Sequence, residues 1–284
     1  MHEELKLELS EEKTLITHAK SGAARFLGYE VTTLQVDTKH VLDRAHNKRR
    51  SINGKIGFRV PRTVLLEKCN RYRKHDKVVH RAELLNESDY TIISIYQLEY
   101  RGIVEYYRLA YNMHTLSLLR WTMEQSLTKT LARKYKTTVS KIYDKYKVDI
   151  HVNDVVYKGL QVSVSREEKK PLVATWGGVP LIWDIQAEVE DRPQRGWRGW
   201  NQRSELEKRL LAQVCEACGA TRLTERIEVH HIRALKDLNK YTGREKPRWV
   251  QIMAARKRKT LVLCHTCHVN LHAGRPLRQK VLRS

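Results

Sequence analysis

The hydrophobic pattern of the chain changes period twice. Near the N-terminus apolar residues alternate with polar ones, as in LKLEL and in part of FLGYEV, so residues 1–36 read as short strands punctuated at Gly22 and Gly28. From about Val41 to Tyr146 the spacing is helical. Pro61 precedes VLLEKCNRY, and Pro suits a first helical turn. Ser88-Asp89 stands before TIISIYQLEY as an N-cap. RGIVEYYRLAYNMHTLSLLRWTMEQSLTKTLARKYK then carries apolar positions over many turns, with Arg and Lys at most polar ones. This predicts a helical bundle with one basic face. Residues 150–203 are mixed. VNDVVYKGLQVSVS alternates like a β-hairpin, KPLVATWGGVPLIWD is apolar, and PQRGWRGWNQR reads as a linker whose Trp197 and Trp200 either dock on a neighbour or stack on bases. Ser204-Glu205-Leu206-Glu207 has the form of a capping box opening the helix LEKRLLAQV.

The 284 residues are enough for one large or two modest domains, and a hydrophobic fraction of 41% excludes wholesale disorder. The net charge of +22 changes the picture more. A surface this basic attracts polyanions, nucleic acid first, because each neutralised phosphate releases counterions. From Arg192 to Ser284 there are 22 Lys and Arg against 7 Asp and Glu, so the excess concentrates at the C-terminal end. No stretch has the length of a membrane span, and the Glu-rich MHEELKLELSEEK is neither a signal nor a transit peptide. A cytoplasmic or organellar-matrix protein with no membrane partner is expected. Tyr96, Tyr100, Tyr106, Tyr107 and Tyr111 suit core packing, with base stacking as the competing role.

Four of five cysteines form two C-x-x-C pairs, Cys215/Cys218 and Cys264/Cys267. In a reducing compartment that spacing reads as metal, and four thiolates close a tetrahedral Zn²⁺ site that is structural. Cys69 stands alone and reads as a small buried apolar residue. Histidines lie beside the knuckles. Glu228-Val229-His230-His231-Ile232 is strand-like, while His268 and His272 share a helix face at i and i+4. Two chemistries fit these histidines. One is phosphodiester cleavage, with a His base and a second, divalent metal. The other is a zinc module that only grips nucleic acid.

CEACG, EVHHIR and RKTLVLCHTCH with a further His are similar to the HNH nuclease family, with its zinc-supported ββα-metal fold. The resemblance implies His231 as general base, His230, His268 and His272 as ligands of a catalytic Mg²⁺ or similar ion, and hydrolysis of a DNA strand. The family often has Asn shortly before the second knuckle to orient the base. Lys259 and Thr260 stand there, and Thr260 is expected to hydrogen-bond in its place. Upstream, LELSEEKT with ARFLGYE resembles the end of the palm of group II intron reverse transcriptase/maturases. NGKIGFRVP, YRGIVEYYRLAYN and SLTKTLARKYK resemble their thumb, or maturase domain X.

The expected fold class is α+β, a mainly α-helical thumb/maturase bundle plus a small HNH domain. The divisions are 1–36 (palm remnant), 37–150 (thumb/domain X), 151–203 (linker and DNA-binding connection) and 204–284 (endonuclease). The implied partners are group II intron RNA, target DNA and a separate polymerase fragment. A Tyr-x-Asp-Asp motif is absent, so reverse transcription by this chain alone is not expected, and a split or decayed gene is one explanation. Arg101, Tyr106, Tyr107, Lys129 and Lys134 match the maturase strings as RNA-facing or packing residues, with Tyr106 and Tyr107 on different helix faces. Arg256, Lys257, Arg258 and Lys259 are further nucleic-acid-binding candidates.

Overall fold

The computed structural model describes residues 16–18, 20–35, 41–42, 48–49, 53–166, 169–184, 205–240 and 246–278. LKLEL, Trp197, Trp200 and the Ser204 capping box lie outside them. The chain divides into two compact units, one of Met1–Arg71, Arg101–Arg120 and Pro180–Val189, the other of Tyr72–Tyr100, Trp121–Val179 and Glu190–Ser284.

In the first unit, β1 (Ala24–Phe26) and β2 (Tyr29–Thr33) form a hairpin. Its two turn residues, Leu27 and Gly28, both have positive φ, 46° and 78°. That is the geometry whose twist matches the strands it joins, and Gly28 adopts it without a Cβ penalty. β3 (Val41–Leu42) and β4 (Lys48–Arg49) pair antiparallel. β5 (Ile56–Arg59) joins β2, giving the order β1-β2-β5. The helical reading that began at Val41 is therefore corrected: the described residues are helical only from α1 (Arg62–Asn70) onward. Gly57 and Arg59 explain the difference. Gly57 pairs with Thr32, where a Cβ would meet Leu34 at 2.7 Å, and Arg59 pairs with Glu30 through a 2.6 Å ion pair. Long-range pairing, invisible to local periodicity, overrides the helical spacing.

The second unit opens with the two-residue strands β6 (Arg73–Lys74) and β7 (Lys77–Val78). Two long helices follow, α2 (Asp89–Tyr106) and α3 (Ser117–Tyr135), each of which runs on into the first unit's residues. Ser88 caps α2 as expected, its Oγ accepting from Thr91 N–H at 3.1 Å. The apolar run between them is interrupted at 107–116. There Asn112 exchanges two side-chain hydrogen bonds with the backbone of Val60, and Tyr111 N–H donates to Phe58 O at 2.9 Å. α4 (Val139–Tyr146) is capped by Thr138. The expected hairpin is present as β8 (Lys147–Val152) and β9 (Val155–Arg166), turning on Asn153-Asp154 with both φ positive, and β10 (Lys169–Trp176) completes the sheet. Trp176 is fully buried against Tyr96 and Tyr100. Tyr96 and Tyr100 thus pack the core, the first of the two expected roles. Cys69 is buried too.

The C-terminal part comprises α5 (Glu205–Leu211), β11 (Ile227–His231), a 3₁₀ turn at Leu235–Lys240, α6 (Arg248–Ala255), β12 (Thr260–Cys264) and α7 (His265–His272). β11 and β12 pair antiparallel, with His231 opposite Thr260 and Ile227 opposite Cys264. One face of this hairpin buries Leu261 and Leu263 against Val250, Met253 and Leu238. Polar contacts tie the start of α5 to the helical bundle. Glu87 accepts from Leu206 N–H at 3.3 Å, and Thr91 Oγ1 donates to Glu205 at 3.1 Å. Among the described residues, no helix is long and apolar enough to cross a membrane.

Candidate metal centres

The strand pair and the helix after it carry both centres. Cys264 ends β12 and Cys267 lies in the first turn of α7, while Cys215 and Cys218 sit on a loop that Cys215 N–H and Gly219 N–H pin to Ala220 O and Cys215 O. The four sulfurs lie within 4.8 Å of one another. The separation of Cys218 and Cys264 Sγ is 3.7 Å. A tetrahedron with Zn–S bonds of about 2.3 Å has edges of about 3.8 Å, so the cluster fits a structural zinc and leaves no open position. Burial pushes the Cys267 thiol up to about 11 and raises Cys264 too. Burial also opposes ionisation of Cys215, but N–H groups of Cys218, Cys264 and Ala217 outweigh it and lower its pKa. Such a pocket needs a cation to hold four thiolates together.

The second group is His230, His268 and His272, each offering a ring nitrogen within 4.8 Å of the others. His230 is buried at the end of β11, beside the ring of Trp249. His268 and His272 stand one turn apart on α7, with Nε2 atoms 3.1 Å apart. Burial, and then repulsion from His268, His272 and His231, push His230 down to about 4, so it is neutral at pH 7 with a lone pair to give. His268 Nδ1 bonds Glu228 Oε2 at 2.6 Å, which leaves Nε2 facing its histidine neighbours. Glu228 also bonds His265 Nδ1 at 3.2 Å, and these two histidines hold its carboxyl below the usual range, His268 the more strongly. A carboxylate behind a ligating imidazole fixes its tautomer and strengthens its basicity. Strand alternation could have revealed this residue, since Glu228 is two positions before His230 and so on the same face.

Glu225 steadies the helix itself. It accepts from Thr266 N–H at 3.1 Å, and hydrogen bonds from the Thr266 hydroxyl and N–H hold its carboxyl down to about 2.

Of the residues singled out from sequence, His230, His268, His272 and the four cysteines come together as two clusters. His231 is exposed and outside both, on the opposite side of the strand from His230. Thr260 does not orient it. Its Oγ1 accepts from Arg209 Nη2 at 2.7 Å, and among the described residues nothing is hydrogen-bonded to the His231 ring. Arg209 belongs to a polar cluster with no sequence signature. Arg209 and Arg258 both pair with Glu216, at 3.1 and 2.7 Å, and Arg258 also reaches Glu205 at 3.4 Å.

Two basic candidates need correction. Lys134 and Arg258 are 1% and 2% exposed and paired with carboxylates, so neither reaches nucleic acid. Lys129 donates to Val78 O at 2.7 Å, and Arg101 lies 3.9 Å from Glu105 on the surface. Arg256 is exposed, and Lys257 and Lys259 are half-buried. Tyr106, the last residue of α2, is exposed, and Tyr107, in the turn just past it, is buried.

Comparison with known proteins matches residues 59–172 to the type II intron maturase family and residues 215–268 to the AI2M/AI1M-like HNH endonuclease family. The group II intron-encoded protein LtrA of Lactococcus lactis subsp. cremoris is 35% identical over 277 residues, 94% of this chain and 43% of that protein. Two proteins of Saccharomyces cerevisiae, described as putative COX1/OXI3 intron 1 and intron 2 proteins, are 28% and 27% identical over 95% and 97% of this chain. The alignments cover 33% and 31% of them, so the chain spans less than half the length of these relatives.

Proposed function

We propose that this chain, which carries a type II intron maturase domain followed by an HNH endonuclease domain, binds group II intron RNA to aid splicing and nicks target DNA in intron mobility. The observation that carries the nuclease half is the preformed trio His230, His268 and His272 beside an independent four-cysteine cluster. A module that only grips nucleic acid has use for the four-cysteine cluster alone. The strand pair followed by α7 matches the order of a ββα-metal unit, and we assign 204–284 to it. By the same reading 37–150 is thumb/domain X, 151–203 the connection and 1–36 the end of a palm.

In this reading Zn²⁺ sits among the cysteines and Mg²⁺ or a similar ion is held by the three histidines. A divalent ion there supplies positive charge for the phosphate and for the departing oxygen. We assign the proton of the attacking water to His231, because it is exposed, adjoins His230 on β11 and acts electrostatically on the His230 ring. Burial keeps His230 a neutral ligand. Glu228 holds His268 in position.

The test is nicking of a supercoiled plasmid by the purified chain with Mg²⁺ or Mn²⁺, with His231→Ala and a chelator as controls. Metal-dependent nicking that His231→Ala abolishes is expected. No cleavage with either metal, with or without intron RNA, refutes the nuclease half.

A further inference from the structure

Six cations gather where the end of the maturase bundle meets the C-terminal module. Tyr135, which ends α3, Lys136 after it, and Ala234, Leu235 and Lys236, just past β11, line a shallow hollow. Arg133 and Lys136 lie on the bundle side and Lys236 and Lys259 on the other. Nearby, Lys145 Nζ stands 4.1 Å over the Tyr135 ring and Lys257 Nζ 5.5 Å over the Tyr146 ring. Among the described residues, none of these cations has a carboxylate within ion-pair distance. Asp89, the acid that acts electrostatically on Lys145, is already paired with Lys134 at 2.7 Å.

Cations at helix C-termini are ordinary, because they complement the helix dipole. That accounts for Arg133 and Lys145. It does not account for Lys236, Lys257 and Lys259, which come from the other module and are brought against them. Burial, and then repulsion from Lys134, Lys136 and Arg133, lower the pKa of Lys259. Among the described residues these like charges are therefore held together without an internal counterion.

We propose that this hollow holds the phosphodiester backbone of the DNA strand that the nuclease cuts, so that the maturase bundle supplies part of the DNA grip. The inference rests on the nuclease reading. Its second support is position. Lys259 O accepts from Ile232 N–H at 3.0 Å, and Ala234–Lys236 begins three residues after His231. The Ala234–Lys236 wall and the Lys259 backbone thus adjoin the end of β11 that carries His231, so one strand can meet both. Phosphates there neutralise cations that, among the described residues, no side chain neutralises, and intron RNA has no such reason to lie next to His231.

The experiment measures anisotropy of a fluorescein-labelled DNA duplex, and separately of an RNA hairpin, against the full chain over a salt series without divalent ions. Lys136→Gln and Lys236→Gln are each expected to reduce the DNA slope of log affinity on log salt by about 0.9, and the pair by about 1.8. Lys136→Arg should restore it, and Lys158→Gln, on the exposed face of β9, should leave it alone. Wild-type DNA slopes in the double variant overturn the inference. So does loss of RNA binding with DNA binding intact, which makes the hollow an RNA site. A wild type that binds the duplex but never nicks refutes the nuclease reading instead, and the slopes still decide whether the hollow holds DNA.

Discussion

Replacing Asp89 by Ala should be among the most destabilising single changes in the chain. The carboxylate and the Lys134 ammonium are both fully buried, 2.7 Å apart. Lys134 also donates to Glu87 O at 2.5 Å, and Asp89 accepts from the hydroxyls of Tyr135 and Tyr146. Burial alone raises the Asp89 pKa, but Lys134 and the two hydroxyls outweigh it, so the carboxyl stays below its usual value. Asp89→Ala strands an ammonium and two phenols in the interior. Breaking a buried pair this way costs about 3–5 kcal/mol, and each orphaned hydroxyl adds about 1 kcal/mol. In a domain of this size that lowers Tm by roughly 10 °C or more. The double change Asp89→Leu/Lys134→Met removes both charges and should recover most of the loss, leaving about 2 kcal/mol from the phenols. Denaturant unfolding of the wild type, Asp89→Leu, Lys134→Met and the double variant measures the cycle. Because the native carboxyl is depressed, its contribution is present above the unfolded value of 3.8 and is lost as pH falls through the folded pKa. If Lys134→Met costs under about 0.5 kcal/mol and instead flattens the salt dependence of RNA binding, Lys134 faces RNA and this account of the bundle is wrong.

Three further outcomes follow from the metal centres. Cys264→Ser, or a strong chelator, should release one zinc per chain by atomic absorption and unprotect the amides of β11 and β12 in hydrogen exchange, while those of α2 and α3 stay protected. Glu228→Gln should weaken Mn²⁺ binding about 10- to 100-fold by calorimetry with little change in Tm, because it loosens the His268 imidazole without opening the core. For His230, depressed from 6.5 to about 4, the unfolded chain binds the extra proton between those values, so metal-free protein should lose stability as pH falls from 6.5 to 4. His230→Asn should flatten that part of the pH–stability curve, and an unchanged slope would exclude His230 as its source.

The residues that carry chemistry were readable in the sequence because their geometry is local. Two C-x-x-C turns aim thiols at a point whatever surrounds them, and His268 and His272 share a face through helical spacing alone. What joins distant segments was not readable. β5 sits in a stretch with helical spacing and is a strand only because Glu30 and Thr32 lie opposite Arg59 and Gly57. The same limit explains the lysines. Sequence shows that Lys134 and Lys136 are both basic positions near one helix end, but not that Asp89, 45 residues earlier, draws the first into the core. Among the described residues Lys136 has no such partner, and it stays at the surface, beside Lys236 and Lys259 of the other module. Charge counting finds a basic protein. Which cations remain for a phosphate is decided by which carboxylates the fold has already assigned, and among the described residues that assignment leaves Lys136, Lys236 and Lys259 without one.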